Sequence, residues 1–233
     1  MSRLLRLLSL GMLTLLVAGS ASATTLLQED FNDGVADGFT PLSGDWYVEG
    51  GSYHCLVEGT NLAYSTFAGD SSWTDYDFRG RVRVDGGVAN ILRFRSDGLI
   101  SRGQGNGYEL DVRYGTYRDV WLFSWVNGTR RFLSSHDQVA FLAGPWHDFE
   151  IYCQGSQIVV YWDGENILTY NDSGSANLSG GVELMAYIGG DTDHQLASYD
   201  DIVVEASTTT GVDDAQEDFP VLQSNWSALK ALY

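Results

Sequence analysis

Apolar and polar residues alternate in short runs through most of this chain, from about residue 24 to residue 205. Gly, Asn and Asp separate the runs, and no stretch keeps a helical period over three turns. Alternation with a period of two is typical of strands that bury one face. The segments Asp85-Gly86-Gly87, Asn127-Gly128, Gly155-Ser156 and Asp163-Gly164 predict hairpin turns between such strands. The pattern therefore predicts an all-β domain.

The apolar side of each run predicts the core of this domain. Two packed sheets bury the residues that alternate inward on both of them. The residues expected between the sheets are Trp46, Val82, Phe94, Leu110, Trp146, Phe149, Ile151, Val160 and Tyr199. Aromatic residues form 13% of the chain, which is enough to fill a core of this kind.

The segment 146–164, WHDFEIYCQGSQIVVYWDG, carries the most specific pattern in the chain. A Trp opens one expected strand, and the next strand ends in a Y-x-D-G turn. This segment resembles the laminin-G-like and concanavalin A-like lectin and glucanase β-sandwiches, and the resemblance spans roughly residues 29–205. It implies an antiparallel jelly-roll sandwich similar to carbohydrate-binding modules. Lectins, glycosidases and adhesion modules share this fold, so the resemblance specifies function less well than fold.

The first 23 residues predict a signal peptide. Arg3 and Arg6 form a basic start, the apolar segment 7–17 is too short to span a bilayer, and Ala21-Ser22-Ala23 suits cleavage. We therefore expect an exported bacterial protein that is periplasmic, secreted or held at the cell surface.

The expected sandwich covers residues 24–206, and residues 207–233 form an acidic linker and a disordered or truncated tail. The tail segment TGVDDAQEDFPVLQSNW resembles the lead-in to the C-terminal sorting or FlgD-like domains of bacterial surface proteins. The chain departs from that pattern at Trp226, so an arbitrary tail is the alternative interpretation.

Charge and cysteine content limit the partners and the covalent structure. A net charge of −18 makes nucleic acid and anionic membrane surfaces poor partners. We expect no membrane insertion and a monomer. Cys55 and Cys153 lie on the inward side of their runs, and in an exported chain they predict either a disulfide or two buried thiols.

Charged residues alternate along three runs of the chain. They are Arg79, Arg81 and Arg83 on the first run, Arg93 and Arg95 on the second, and Glu109, Asp111 and Arg113 on the third. We expect three neighbouring strands that present these side chains on one sheet face. Two interpretations stay open: solvated ion pairs, or a face that binds the hydroxyl groups of sugars.

Three aromatic residues alternate along the next run, at Trp121, Phe123 and Trp125. If Val120 and Leu122 are in the core, the aromatic rings face outward and form a stacking platform for sugar rings. The opposite register would bury them, and a single bulge decides between the two. The residues predicted to bind a polysaccharide or glycan are Arg93, Arg95, Glu109, Asp111, Arg113, Trp121 and Trp125.

The segment 109–114, ELDVRY, partly matches the E-[IL]-D-x-x-E motif of glycosidases with this fold. Its third acid is replaced by Tyr114, and retention requires two carboxyl groups about 5–5.5 Å apart. We therefore expect a non-catalytic carbohydrate-binding module. The alternatives are a glycoside hydrolase, glucanase-like or 3-keto-disaccharide hydrolase-like, and a cell-surface adhesion or structural module.

Acidic residues at both ends of the expected domain predict a structural Ca²⁺ site. In many carbohydrate-binding relatives the first and last strands pair and share the ion. Asp30 and Asp200 match those positions, with Asp201 or Glu29 as substitutes. Calcium takes about six to eight oxygens, some of them from the backbone. The alternative is that these acids only form turns at strand ends.

Overall fold

The computed structural model describes residues 23–59, 61–87, 89–100, 103–114, 117–137, 142–174, 177–189 and 194–207. Within these ranges the chain forms β-strands and no α-helix. The strands are β1 Thr24–Glu29, β2 Phe39–Pro41, β3 Trp46–Glu49, β4 Ser52–Glu58, β5 Leu62–Ala68, β6 Tyr76–Gly86, β7 Ala89–Ser96, β8 Gly107–Arg113, β9 Asp119–Val126, β10 Thr129–Asp137, β11 His147–Gln154, β12 Gln157–Trp162, β13 Glu165–Asn171, β14 Gly181–Ile188 and β15 His194–Ala206. The predicted signal peptide, except Ala23, and the predicted tail after Ser207 lie outside the described residues.

The strands form two antiparallel sheets packed face to face. Sheet A has the order β13-β12-β11-β6-β15-β4-β3, with β1 also paired to β15, and sheet B has the order β10-β9-β8-β7-β14-β5-β2. This confirms the predicted all-β sandwich. The chain crosses repeatedly between the sheets, so each sheet combines strands that are distant in sequence.

The predicted core is confirmed at most of its positions. Completely or almost completely buried are Val82, Phe94, Leu110, Phe149, Ile151, Val160 and Tyr199. Trp46 is half-buried at the margin of the core, where its ring lies 5.0 Å from that of Tyr53. The inward alternation of apolar residues therefore predicts the packing between the sheets well.

Trp146 is the exception, and its predicted burial in the core is wrong. The ring lies on the outer face of sheet A, with the guanidinium of Arg81 at 4.9 Å and that of Arg83 at 5.1 Å from its centroid. Strand β11 turns the side chains of His147 and Phe149 inward, so the residue before His147 faces outward. His147 takes the buried position instead.

The turns explain how the sheets are connected. Asn127-Gly128 joins β9 to β10 with φ values of 49° and 75°, and Asp163-Gly164 joins β12 to β13 with 50° and 81°. Positive φ at both positions is typical of two-residue hairpins. The hairpin predicted at Asp85-Gly86-Gly87 is wrong, because the chain there passes from β6 in sheet A to β7 in sheet B.

This crossover separates the predicted charged strands. Arg79, Arg81 and Arg83 lie on the outer face of sheet A, whereas β7 and β8 are neighbours in sheet B. The prediction of three adjacent charged strands is therefore wrong for β6 and correct for β7 and β8. A glycine-rich turn alone does not show whether the chain stays in one sheet.

The two cysteines are free, buried thiols, so the disulfide is excluded as an interpretation. Cys55 is on β4 and Cys153 on β11, and strands β15 and β6 lie between them in sheet A. Three strand spacings amount to about 14 Å, twice the Cα distance of about 7 Å that a disulfide tolerates. Burial raises the pKa of each thiol to about 12.

Candidate functional site

The outer face of sheet B carries most of the residues predicted to bind sugar. Leu110 on β8 and Leu122 on β9 are completely buried in the core. The residues that alternate with them therefore face outward, which confirms the outward register of the three aromatic residues of β9. We call this surface the B face; its central residues are Arg93, Glu109, Asp111, Arg113, Trp121, Phe123, Trp125, Arg130, Phe132 and Glu183.

A buried ion network runs across the B face with Glu109 at its centre. Its carboxylate accepts hydrogen bonds from Arg93 Nε at 2.9 Å and Trp125 Nε1 at 3.0 Å, and it forms an ion pair with Arg130 Nη2 at 2.6 Å. Arg93 also donates to Glu183 at 3.1 Å, and Ser96 donates to the other oxygen of Glu183. The side chains of Arg93, Glu109 and Glu183 are only 6%, 3% and 0% exposed. Such buried charges are stable only while they are paired.

Guanidinium groups cover the aromatic rings of β9. Arg93 lies 5.6 Å from the ring centroid of Trp125, Arg113 lies 3.9 Å from that of Trp121, and Arg130 lies 3.4 Å from that of Phe123. Each ring therefore makes a cation–π contact within the protein. The expected open stacking platform is wrong in this respect: the rings face outward, but none of the three is a bare surface.

One carboxylate oxygen of Asp111 has no hydrogen-bond partner among the described residues. Its Oδ2 accepts a hydrogen bond from Arg130 at 3.0 Å, while the buried Oδ1 has no hydrogen-bond partner among the described residues. Burial, followed by the negative charge of Glu109, raises the pKa of Asp111 to about 6, although Arg130 and Arg113 oppose the shift. A buried polar atom without a partner is destabilising. A ligand that donates a hydrogen bond to Oδ1 would remove that penalty.

Asp111 lines a cleft of about 240 Å³. The other lining residues are Ala89, Arg113, Tyr117, Trp121, Arg130, Tyr187 and Gly189. Asp119 fixes Arg113 by accepting hydrogen bonds from its Nε, at 2.6 Å, and from its Nη2. Tyr117 is 52% exposed, and its ring centroid lies 4.9 Å from the guanidinium of Arg113. The cleft thus combines fixed hydrogen-bond donors, a residue with one unpartnered acceptor oxygen, and accessible aromatic surface.

The predicted binding residues divide into three groups by position. Asp111, Arg113 and Trp121 line the cleft. Arg93, Glu109 and Trp125 belong to the neighbouring ion network, in which Glu109 pairs with Arg130. Arg95 is in neither group, because its side chain contacts Thr74, Asp75 and Asn177.

The prediction that Arg95 belongs to the binding face is wrong. Its φ of 47° and the register shift opposite β14 mark a β-bulge, which changes the direction of the side chain. The side chain donates to Thr74 O at 3.0 Å, Asn177 O at 3.2 Å and Asp75 Oδ1 at 2.9 Å. The residue is 1% exposed and ties loops together at the end of the sandwich.

Five lining residues of the cleft were absent from the predicted set: Ala89, Tyr117, Arg130, Tyr187 and Gly189. Arg130 lies opposite Trp125 in the β9–β10 hairpin. The turn at Asn127-Gly128 fixes that register, so the position of Arg130 beside Trp125 could have been predicted from the sequence. Tyr117 is in the β8–β9 connection and Tyr187 is on β14, and nothing in the local sequence pattern brings them together.

The predicted calcium ligands lie near the paired chain ends. Strand β1 pairs with β15, as expected, and Asp201 has a φ of 51° at the β15 bulge. Arg81 binds the carboxylates of Asp200 and Asp201 at 3.3 and 3.4 Å, and Asp30 accepts from the Asn32 N–H at 3.1 Å. The described ranges contain no group of three or more His, Cys, Asp or Glu that could hold a metal. These residues fit calcium poorly while Arg81 neutralises two of them, and the calcium site stays a prediction.

In the described part of the chain, no helix has the length and apolar character required to cross a membrane.

Several solved structures share this fold. The carbohydrate-binding module CBM66 from Bacillus subtilis aligns with a TM-score of 0.58 and 18% identity, over 72% of this chain and 96% of that chain. The catalytic domain of an endo-1,3-β-glucanase (laminarinase) from Thermotoga petrophila gives 0.60 and 13%, over 81% and 99%. The Bacillus licheniformis β-glucanase gives 0.59 and 10%, over 81% and 100%. The fold is therefore the concanavalin A-like jelly-roll sandwich found in carbohydrate-binding modules and glucanases.

The sequence places the chain within one family of such domains. Residues 27–204 match the 3-keto-alpha-glucoside-1,2-lyase-like domain, and the chain belongs to that family. No curated protein matches the chain in sequence.

Proposed function

We propose that the cleft on the B face binds a carbohydrate by hydrogen bonding and leaves it unchanged. The observation that carries this proposal is the buried, unpartnered Oδ1 of Asp111 in the cleft. A sugar hydroxyl donates to a carboxylate oxygen in a short, charge-assisted hydrogen bond. Such a bond would complete the hydrogen bonding of Asp111 and stabilise its ionised form.

The other lining residues suit the same ligand. Arg113 and Arg130 have fixed orientations, and guanidinium N–H groups donate to hydroxyl oxygens. The exposed ring of Tyr117 offers an apolar face to the C–H side of a sugar ring. The fold shared with CBM66, and with glucanases, supports a carbohydrate as the ligand class.

The charge of the site favours a neutral sugar over an acidic one. The buried network contains the carboxylates of Glu109, Asp111 and Glu183 but only the guanidinium groups of Arg93 and Arg130. A uronate or sulfate group placed beside Asp111 would add a negative charge without a partner to a desolvated site. The net charge of −18 also repels polyanions.

A glycan array tests this proposal. The purified protein should bind a defined group of neutral glycans, and Tyr117→Ala should weaken binding to the same glycans. Tyr47→Ala is the matched control, because Tyr47 is 41% exposed and lies on β3 at the edge of sheet A. Absence of any glycan binding, or equal losses in the two variants, would contradict the proposal.

A second candidate function is 1,2-elimination of a 3-keto glucoside, and two observations favour it. The family name refers to that reaction, and Asp111 has a pKa of about 6, within the range suited to a general base near neutral pH. Asp111 would take the C2 proton next to the ketone. The C2–H electrons would form the C1=C2 double bond, and the C1–O bond would break with its electrons going to the aglycone oxygen. That oxygen would take the proton held by Asp111, so the aglycone leaves as an alcohol and the carboxylate is regenerated. Arg130 or Arg113 would stabilise the developing enolate oxygen.

Hydrolysis by a pair of carboxyl groups has less support. Glu109 uses both oxygens in the ion network, and Tyr114, at the position of the third acid of the motif, is 2% exposed in the core. The second carboxyl group that this mechanism requires is therefore not beside Asp111 in the part of β8 that matches the motif.

The two functions are separated by a kinetic assay. Elimination from a 3-keto glucoside with a nitrophenol aglycone would release nitrophenolate, and Asp111→Asn would abolish the release. If the wild-type protein binds glycans but releases no nitrophenolate from the 3-keto substrate, the result supports the binding function and contradicts the lyase function.

A further inference from the structure

A second hollow lies beside the cleft, at the open edge of the sandwich. It has a volume of about 380 Å³ and lies between β10, the edge strand of sheet B, and β13, the edge strand of sheet A. We call it the edge groove; its lining residues are Ser134, Ser135, His136, Asn166, Leu168 and Thr169, together with Ile167.

The chemistry of the edge groove is that of a hydroxyl-binding surface. Hydroxyl, amide and imidazole groups of Ser134, Ser135, His136, Asn166 and Thr169 provide both donors and acceptors. Ile167 and Leu168 add apolar surface and are 3% and 6% exposed. A few polar groups beside an apolar floor are typical of small-ligand sites.

The cleft and the edge groove are adjacent across one ladder of the sheet. Ser135 of the groove lies opposite Trp121 of the cleft in the β9–β10 register. Neighbouring strands are about 4.8 Å apart, which is comparable with the length of one sugar ring. Phe132 lies on the same strand as the groove residues, is 53% exposed, and has its ring 5.9 Å from that of Trp121. A ligand leaving the cleft would therefore pass an exposed aromatic ring before it reaches the groove.

We propose that the edge groove is a second carbohydrate subsite, so that the ligand of this protein is an oligosaccharide that extends from the cleft past Phe132 into the groove. The inference rests on the proposed carbohydrate-binding function of the cleft. The cleft, at about 240 Å³, is below the roughly 300–1,000 Å³ common for small-ligand pockets. It suits one sugar unit, and the groove provides the volume for the next ones.

The dependence of affinity on oligosaccharide length tests the proposal. Isothermal titration calorimetry is carried out with a neutral glycan identified on the array and with its shorter fragments, down to the monosaccharide. In the wild-type protein, affinity should rise by at least about tenfold from the monosaccharide to the trisaccharide, since each subsite adds contacts. Thr169→Trp fills the groove and should remove this rise while leaving monosaccharide affinity unchanged.

The control is Thr40→Trp, which places the same ring at an exposed position on β2, at the other edge of sheet B. It should leave the rise with length intact. If affinity does not depend on length, or if Thr169→Trp and Thr40→Trp behave alike, the second subsite is disproved while the cleft function stands. If no fragment binds to the wild-type protein, the proposed function itself fails and the subsite with it.

A protein partner for the groove is the competing occupant, because β10 and β13 are edge strands. Size-exclusion chromatography of the wild-type protein and Thr169→Trp distinguishes it. A wild-type dimer that the substitution converts to a monomer would overturn the oligosaccharide subsite. A monomer in both proteins, together with the length dependence, supports it.

Discussion

The outer faces of the two sheets contain the same residue types but place them in different environments. On the B face, the side chain of Arg93 is 6% exposed and binds two carboxylates that are 3% and 0% exposed. On sheet A, the side chain of Arg81 is 25% exposed and binds Asp200 and Asp201, at 17% and 32%, and the mostly exposed Asp148. Each face also stacks Arg on Trp, at Trp121 on sheet B and at Trp146 on sheet A.

Residue type alone therefore does not distinguish a ligand site from a solvated sheet surface. The B face differs by the burial of its ion network and by the cleft that Asp111, a member of that network, lines. Exposed ion pairs contribute little to stability, because water competes for both partners. Buried pairs hold side chains in one orientation, which is what a recognition site requires.

The largest expected difference between the faces concerns stability. Arg93→Ala leaves the buried carboxylate of Glu183 without its guanidinium partner and weakens the pairing of Glu109. We expect the free energy of unfolding to fall by about 3–5 kcal/mol. Arg81→Ala breaks pairs on the more exposed face and should cost about 1 kcal/mol or less. Urea unfolding followed by tryptophan fluorescence measures both, and equal losses would contradict the contrast in burial.

The next effect concerns ligand binding by the two stacked tryptophans. Trp121→Ala removes a wall of the cleft and should weaken binding of an array-positive glycan by about 1–3 kcal/mol, which corresponds to about 5- to 140-fold. Trp146→Ala removes the equivalent stacked ring from sheet A and should leave the affinity unchanged. Calorimetric titration of both variants makes the comparison, with a thermal melt to verify that each is folded. A loss of affinity in Trp146→Ala would indicate that the ligand binds to sheet A and would contradict a site on the B face.

The dependence of stability on pH gives a smaller effect that both faces share. Burial, as the main cause, raises the pKa of Asp111 from 3.8 to about 6 and that of Asp77, on β6, from 3.8 to about 7. Between pH 4 and these values the folded protein binds more protons than the unfolded chain, so stability falls as the pH rises. At pH 8, Asp111→Asn and Asp77→Asn should each raise the melting temperature by about 2–4 °C or more.

The same substitutions should have little effect on the melting temperature at pH 4, where both carboxyl groups are largely protonated in the folded state. Scanning calorimetry at pH 4 and pH 8 therefore provides its own control. A decrease in melting temperature at pH 8 would show that the ionised carboxylates stabilise the fold, contrary to the raised pKa values.

The smallest expected effect is that of metal removal. If Ca²⁺ binds Asp30 together with Asp200 or Asp201, it stabilises the native state, and EDTA should lower the melting temperature by a few degrees. Arg81 already binds two of these carboxylates, so a large effect is not expected. A melt that is unchanged by EDTA, with no metal in the purified protein, would remove the calcium site.

The sequence was sufficient to predict the sandwich and part of its binding face. Alternation along β8 and β9 assigned Leu110 and Leu122 to the core, and it thereby placed Asp111 and Trp121 on the same outer surface. Alternation acts within a strand, so it is reliable wherever the strand is regular. It failed at Arg95, where a bulge changes the side-chain direction.

The rest of the site depends on contacts between distant segments. Tyr187 reaches the cleft because β14 pairs with β7, a pairing that no local pattern encodes. The strand that carries Arg79 and Arg81 was assigned to the wrong sheet. Asp85-Gly86-Gly87 has the composition of a hairpin turn, but it connects the two sheets. The burial of Trp146 was mistaken because it was assigned to the inward side of its strand, whereas alternation in β11 turns His147 and Phe149 inward and the preceding Trp outward.

In the proposed function, the unpartnered oxygen of Asp111 accepts a hydrogen bond from a ligand hydroxyl. Two variants, at Asp111 and at Asp77, test this contact. Asp77 is the matched control, because it is equally buried, has an unpartnered Oδ1 and lies on the outer face of sheet A. Calorimetric titration of an array-positive glycan at pH 7.5 should show a loss of about 10-fold or more in Asp111→Asn and wild-type affinity in Asp77→Asn. Wild-type affinity in Asp111→Asn would show that Asp111 does not bind the ligand and would contradict the proposed site.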